Sequence, residues 1–201
     1  MLYQIRKRTK SEDIVYSLHL YFSGLSLRNT SKALSRFIKR SHSAIRDWIQ
    51  RYKPERLFFR KIKISEFVVD ETQIKVGSEY IWLWIAIESE TKNIVGINIS
   101  KERNMFVAER FLYNVTKKYG EYPISTDRGT WYPQACRFLK LNHHIHNSFE
   151  KSIIERTIQY IKDRTEGFDD YFPSRKKNCK LKHVKQWLTL FADYYNRELI
   201  T

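Results

Sequence analysis

The sequence predicts an α/β protein in which a mixed β-sheet is flanked by helices and preceded by a small three-helix domain. Apolar residues recur at helical spacing between residues 11 and 52. A run rich in β-branched residues then begins at Glu66, and short strands alternate with helices after it. Because Pro54 blocks continuation of the third helix, we place the boundary near residue 60, which gives domains 1–60 and 61–201.

The first helix of the N-terminal domain is expected to start at Ser11 and to stop at Gly24. The second follows Ser26, and the third begins at Ser41 or Ser43. Two helices joined by a tight turn, the second with polar and basic side chains, are typical of a helix-turn-helix that inserts into the major groove. A plain three-helix bundle with a solvated charged face is the alternative. The candidate DNA-binding residues here are Arg28, His42, Ser43, Arg46, Gln50 and Arg51.

The distribution of charge favours DNA as the partner. The chain carries 37 Lys and Arg against 22 Asp and Glu, a net charge of +15. Residues 1–63 hold 16 of the basic residues and only 4 of the acidic ones. A polyanion partner that contacts the N-terminal domain is therefore expected.

The second domain is expected to begin with an antiparallel meander of strands at residues 66–76, 80–89 and 93–100, with a tight turn at Gly77-Ser78. A helix at 104–119 should point Phe106, Val107 and Phe111 inward, together with Leu112 and Val115. A short strand then ends at Asp127. The remaining elements are a helix at 133–139, a strand at 143–146, and helices at 149–164 and 181–199.

Three carboxylates are the candidate metal ligands. Asp70 interrupts a strand of apolar residues, where an unpaired charge is costly to bury. Asp127 follows a strand at the edge where open α/β sheets place their sites. Glu155 lies on the helix at 149–164. Carboxylates from two strands and one helix are suited to two hard cations, the arrangement that phosphodiester cleavage uses.

Neighbouring side chains are ranked by the direction in which they point. Glu71 should face the opposite side of the sheet from Asp70. Glu150 precedes Glu155 by five residues, about 140° around a helix, and so should look away from it. Lys162 stands seven positions after Glu155 on the same helix face, where it can hold a phosphate or simply be solvated.

Two residues just after Asp127, Arg128 and Trp131, are expected to bind a DNA end, although an aromatic residue in such a place is more often part of the core. His143, His144 and His146 are interpreted as structural rather than as a zinc site. Cys136 and Cys179 are too far apart to indicate a disulfide framework. Without a signal peptide or a run of about 20 apolar residues, we expect a cytoplasmic protein, associated with the nucleoid.

The segments FVVDETQIKV, ISTDRGTWYP and KSIIERTIQYIKDRT, with SLRNTSKAL before them and WLTLFADYYN after them, resemble the DDE transposases of the insertion-sequence-six group, especially short archaeal members. The resemblance covers residues 12 to 196. It implies a ribonuclease H-like core of the retroviral-integrase type, Mg²⁺ or Mn²⁺ as two bound ions, recognition of terminal inverted repeats, and strand transfer to target DNA by a 3′ hydroxyl.

The same resemblance implies that Asp70, Asp127 and Glu155 are the three acids and that Lys162 is the basic residue which follows the glutamate. The 27 residues between the second and third acids are fewer than is usual in the group, so Glu150 stays open as the third acid. A homodimer or larger homo-oligomer is expected, because two element ends must be joined. The competing hypotheses are a structure-specific nuclease or resolvase on the same fold, and a non-catalytic helix-turn-helix protein.

Overall fold

A computed structural model describes residues 9–53, 63–166 and 180–199. The chain divides into two compact units, Met1–Glu55 and Arg56–Thr201. Pro54 and Cys179, on which parts of the sequence interpretation depend, lie outside the described residues.

The described residues of the first unit, 9–53, contain three helices: α1 (Ser11–Phe22), α2 (Leu27–Leu34) and α3 (His42–Arg51). The hydroxyls of Ser26 and Ser41 accept hydrogen bonds from the backbone N–H groups three residues later, so these serines cap α2 and α3 as expected. The expected cap at Ser11 is wrong, because Lys10 occupies that position and its side chain makes no capping hydrogen bond. Buried apolar residues from all three helices form the core of this unit: Ile14, Leu18, Tyr21, Phe22, Leu27, Leu34, Ile45, Trp48 and Ile49.

In the part of the second unit that the structure describes there are five strands: β1 (Phe67–Val76), β2 (Glu79–Glu88), β3 (Ile94–Ser100), β4 (Ile124–Thr126) and β5 (His143–Ile145). Their order in the sheet is β3-β2-β1-β4-β5. Strands β1, β2 and β3 pair antiparallel, whereas β4 and β5 run parallel to β1. This is the ribonuclease H-like mixed sheet that the sequence predicts.

The antiparallel meander turns at Gly77, whose φ of 64° is readily adopted only by glycine. The sequence predicts that the strand at residues 80–89 is fully buried, but Tyr80 is exposed, as is Glu79, with which β2 begins. These two residues pair with Lys75 and Val76 at the end of β1.

Within residues 63–166 and 180–199, four helices accompany the sheet: α4 (Met105–Tyr119), α5 (Trp131–Phe138), α6 (Ser148–Glu166) and α7 (Leu181–Glu198). One sheet face packs against α4 and α5 through a shared apolar core that includes Phe67, Val69 and Trp84. Helix α6 contacts β1, and α7 contacts β3. Among the described residues no helix is both long and apolar enough to span a bilayer.

The inward face of α4 differs from the sequence prediction at one position. Phe106 is 72% exposed, whereas Ala108 is fully buried. The helix begins at Met105 with Asn104 as its cap, so Phe106 lies in the first turn and Val107 and Ala108 meet the core instead. The other four predicted residues, Val107, Phe111, Leu112 and Val115, are buried as expected.

Candidate active site

Strand pairing brings Asp70 and Asp127 together. The parallel register sets Val69 of β1 opposite Thr126, the last residue of β4. The next residue on each strand is therefore an aspartate, and the two lie side by side where β4 ends. One carboxylate oxygen from each of Asp70, Glu71 and Asp127 lies within 4.8 Å of the other two.

Helix α6 adds Glu155 to this edge of the sheet. An open depression of about 520 Å³ lies between β1 and α6, with Asp70 and Thr72 on one wall and Glu155 and Arg156 on the other. The Glu155 side chain is 59% exposed, and the Lys151 Nζ lies 3.8 Å from it, one turn earlier. Two of the three predicted acids thus line one depression, and Asp127 lies beside the first of them.

The electrostatics of Asp70 distinguish it from an ordinary surface acid. Its pKa is raised to about 7, chiefly by burial and also by the negative charges of Glu71, Asp127 and Glu155, while a hydrogen bond from the Glu71 backbone N–H opposes the increase. Each of the raising effects disfavours the ionised form. A bound cation would reverse that preference, so the site has the charge balance expected of a cation site.

Glu71 belongs to this acidic group, although the alternation of side chains along the strand predicts that it faces the opposite side of the sheet from Asp70. Its side chain faces α4 and α5, as the alternation of the strand requires. There it accepts a hydrogen bond from the Tyr132 hydroxyl and lies 3.5 Å from the Arg103 guanidinium. Burial raises its pKa, and the charge of Asp127 adds to that effect. No local pattern indicates these partners, because Tyr132 is 61 residues away.

Arg103 is held between two tryptophan rings. Its guanidinium carbon lies 4.0 Å from the ring centroid of Trp82 and 4.4 Å from that of Trp131. Stacking on both faces leaves the edge of the guanidinium for Glu71. Trp131, expected to bind a DNA end, therefore has a packing role that fixes Arg103.

Glu150, the alternative third acid, is held at the start of α6 by hydrogen bonds from neighbouring residues. Ser125 Oγ, Asn147 N and Asn147 Nδ2 all donate hydrogen bonds to its carboxylate, at 2.5, 2.9 and 2.6 Å. Burial raises its pKa, but those donors and His144 outweigh burial and hold the pKa below its ordinary value of 4.5. Glu150 does not line the depression beside Asp70, so the geometry favours Glu155.

Comparison with known proteins identifies the family of the chain. The family model DDE_Tnp_IS240, described as a DDE domain, matches residues 64–191. The chain belongs to the DDE transposases of the insertion-sequence-six group. This is a family of nucleotidyl-transfer enzymes, and the predicted membership is confirmed.

Similar sequences include an uncharacterised protein of Methanocaldococcus jannaschii, 33% identical over 95% of this chain and 88% of that protein. The transposase for the insertion sequence-like element IS431mec of Staphylococcus aureus is 27% identical over 70% of this chain and 67% of its own length. Among solved structures, the integrase catalytic core domain of HTLV-2 in complex with magnesium is 15% identical, covers 66% of this chain and 87% of that domain, and has a TM-score of 0.49.

The two basic residues predicted for this transposase's site, Lys162 and Arg128, differ in how far they are exposed. Lys162 is half-buried on α6, about two turns after Glu155. Arg128 is exposed directly after Asp127. The loop after Asp127 is fixed, because Asp127 Oδ1 accepts a hydrogen bond of 2.8 Å from the Gly129 backbone N–H. A Cβ on Gly129 would lie only 2.7 Å from the Trp131 ring, so the turn requires glycine.

The predicted DNA-binding residues of the N-terminal unit lie on α2 and on α3. Arg28, His42, Ser43 and Arg51 are exposed, whereas Arg46 and Gln50 are half-buried. Ser43 lies in the first turn of α3 and Arg51 is its last residue, so the exposed positions extend along the whole helix. Their role in binding DNA stays a prediction.

Proposed function

We propose that this transposase binds the terminal inverted repeats of its element, cleaves the DNA there, and transfers the freed 3′ end to target DNA. The observation that carries the proposal is the placement of Asp70 beside Asp127, with Glu155 of α6 on the opposite wall of the depression that Asp70 lines. Acids that distant along the chain are brought together only by the fold.

The donor atoms at this edge fit Mg²⁺ or Mn²⁺. All three acids offer carboxylate oxygens, the ligands that these hard cations prefer. Burial, and after it the charges of Glu71, Asp127 and Glu155, raises the pKa of Asp70, and a bound cation would offset both effects. Asp70, Asp127 and Glu155 would hold two ions, while Glu71 is held by Tyr132 and Arg103. When bound, such a pair stabilises the charge that builds on the attacking and leaving oxygens.

The protein itself positions the DNA. Lys162, and Arg156 on the wall of the depression, supply positive charge on α6 for the phosphates near the cleaved bond. Arg128 is exposed beside Asp127 to bind the end of the element. Arg28, His42, Ser43, Arg46, Gln50 and Arg51 would bind the terminal repeat outside the catalytic unit.

Joining requires two element ends at once, so we propose that the active form is a homodimer or a larger homo-oligomer. Because a transposase acts on cellular DNA, the location we propose is the cytoplasm, at the nucleoid.

The test uses purified protein with labelled double-stranded element ends and a target duplex, with and without Mg²⁺. Wild-type protein should give cleaved and joined products only with the metal. Asp70→Asn should lose both products and still shift the labelled ends in a gel. Glu121→Gln, an exposed acid outside the depression, serves as the matched control and should behave as wild type. Cleaved ends without joined product indicate a nuclease, and cleavage by Asp70→Asn refutes the site.

A further inference from the structure

We propose that Glu66, His144 and Glu150 form a second cation site, suited to a transition metal of the zinc class and separate from the three catalytic acids. One ligand atom from each of these residues lies within 4.8 Å of the other two. The histidine distinguishes this group from the acids around Asp70, which offer oxygen alone. We refer to these three residues as the histidine cluster.

Three separate parts of the fold build the histidine cluster. Glu66 immediately precedes β1, His144 is the central residue of β5, and Glu150 lies in the first turn of α6. Parallel pairing sets His144 opposite Ser125 of β4, and the Ser125 hydroxyl donates a hydrogen bond to Glu150. The sheet register and the start of α6 therefore fix the cluster.

The distances within the histidine cluster match zinc coordination. His144 Nε2 lies 3.2 Å from Glu66 Oε1 and 3.4 Å from Glu150 Oε1. Tetrahedral zinc with bonds of about 2.0–2.2 Å has neighbouring ligand atoms roughly 3.3–3.5 Å apart. An imidazole with two carboxylates favours zinc over magnesium, which prefers oxygen ligands and keeps several waters. A fourth position remains for water, because the His144 side chain is 44% exposed.

Neighbouring side chains and backbone hold Glu150, one of the three proposed metal ligands, in place. The two Asn147 donors and the Ser125 hydroxyl orient Glu150, in the way that outer hydrogen bonds orient metal ligands. The adjacent histidines are occupied elsewhere: His143 Nε2 contacts Thr126 Oγ1 at 2.8 Å, and His146 Nδ1 contacts Ser125 Oγ at 2.6 Å. His144 is thus the histidine of this strand that faces the two glutamates.

The histidine cluster is distinct from the catalytic acids. Glu66 and Asp70 are four residues apart along an extended chain, roughly 13 Å. A cation bound by the cluster would join the start of β1 to the start of α6, the helix that carries Glu155. Its expected role is to stabilise the position of that helix.

The experiment measures zinc bound by the full chain. Protein stripped with a chelator is loaded with Zn²⁺, exchanged into buffer with excess Mg²⁺, and analysed for metal content and melting temperature. Wild type should keep a single zinc ion per chain and melt at a higher temperature with zinc. Glu66→Gln and His144→Ala should lose the zinc, with affinity lowered at least about tenfold, and with it the zinc-dependent increase in melting temperature.

Two control variants distinguish zinc held by the histidine cluster from zinc held elsewhere on the chain. His183→Ala removes a histidine of α7 and should keep the zinc, and Asp70→Asn should keep it as well. Circular dichroism verifies folding, and the near-isosteric Glu66→Gln decides the result if His144→Ala does not fold. Zinc retained by folded Glu66→Gln, zinc lost by Asp70→Asn, or no zinc on wild type overturns the proposal. The last result would mean that the cluster consists only of the contacts of His144 with two acids.

Discussion

Strand β1 links two acidic regions that differ in how their carboxylates are satisfied. Near its start, Glu88 and Glu150 are buried and accept several hydrogen bonds each. At its middle, Asp70 is partly buried among other acids, with a single backbone donor from Glu71. The pKa values differ accordingly, lowered for the first two and raised for Asp70. Burial alone therefore does not decide the direction of these pKa shifts, because the number of hydrogen-bond donors around each carboxylate differs.

The strongest effect is expected from Glu155→Gln. If Glu155 completes the catalytic group, cleavage in Mg²⁺ should fall at least about 100-fold, the size of effect seen when one charge-stabilising group is lost from a reacting centre. Its side chain is exposed, so the melting temperature should stay within error of wild type. Unchanged cleavage by this variant would mean that Glu155 is not the third acid.

Glu150→Gln, unlike Glu155→Gln, should lower the stability of the fold. The NH₂ group of the new amide cannot accept hydrogen bonds from the donors that surround it, so buried polar groups are left unpaired. We expect a loss of about 1–3 kcal/mol in the free energy of unfolding, measured by urea denaturation. Glu155→Gln is the matched control, since it makes the same chemical change on the same helix. Equal stability of the two variants would contradict the contrast between the regions.

Tyr132→Phe tests the hydrogen bond that holds Glu71. The ring stays packed against Trp84, but Glu71 loses the hydroxyl donor beneath it. The free energy of unfolding should fall by about 1 kcal/mol. A loss of cleavage under conditions where the variant stays folded would show that Glu71 affects the proposed metal ligands beside it. No change in either quantity would mean that the hydrogen bond contributes nothing measurable.

The smallest effect is expected in the contribution of Glu88 to the pH dependence of the free energy of unfolding. Burial raises the pKa of this carboxyl, but hydrogen bonds from Ser65 and Thr91 outweigh burial and lower it below 4.5. A lowered pKa contributes stability that is present above pH 4.5 and is lost as the pH falls through the folded-state value. The stability difference between wild type and Glu88→Gln should therefore narrow below pH 4.5. A difference that stays constant from pH 7 to pH 3.5 would contradict this assignment.

Local rules predicted most elements but not every contact. Serine caps, the glycine turn at Gly77 and the strand around Asp70 depend on neighbouring residues, and they were recoverable from the sequence. The pairing of Val69 with Thr126 joins residues far apart in the chain, which local rules do not predict. The placement of Asp70 near Asp127 was predicted from the family resemblance instead. The packing role of Arg103 and the meeting of Glu66 with His144 had no such guide, because each joins residues from separate strands and helices.

Because Arg103 packs against Trp82 and Trp131, tryptophan fluorescence can be used to follow changes near Asp70 and Asp127. Trp82 and Trp131 are two of the five tryptophans, and both contact the Arg103 guanidinium, which pairs with Glu71, next to Asp70. Fluorescence from these rings is sensitive to the nearby charge, so ion binding at Asp70 and Asp127 should change the emission of the unlabelled protein. If Asp70 and Asp127 bind metal as proposed, titration with Mg²⁺ should therefore be measurable by tryptophan emission without an added label.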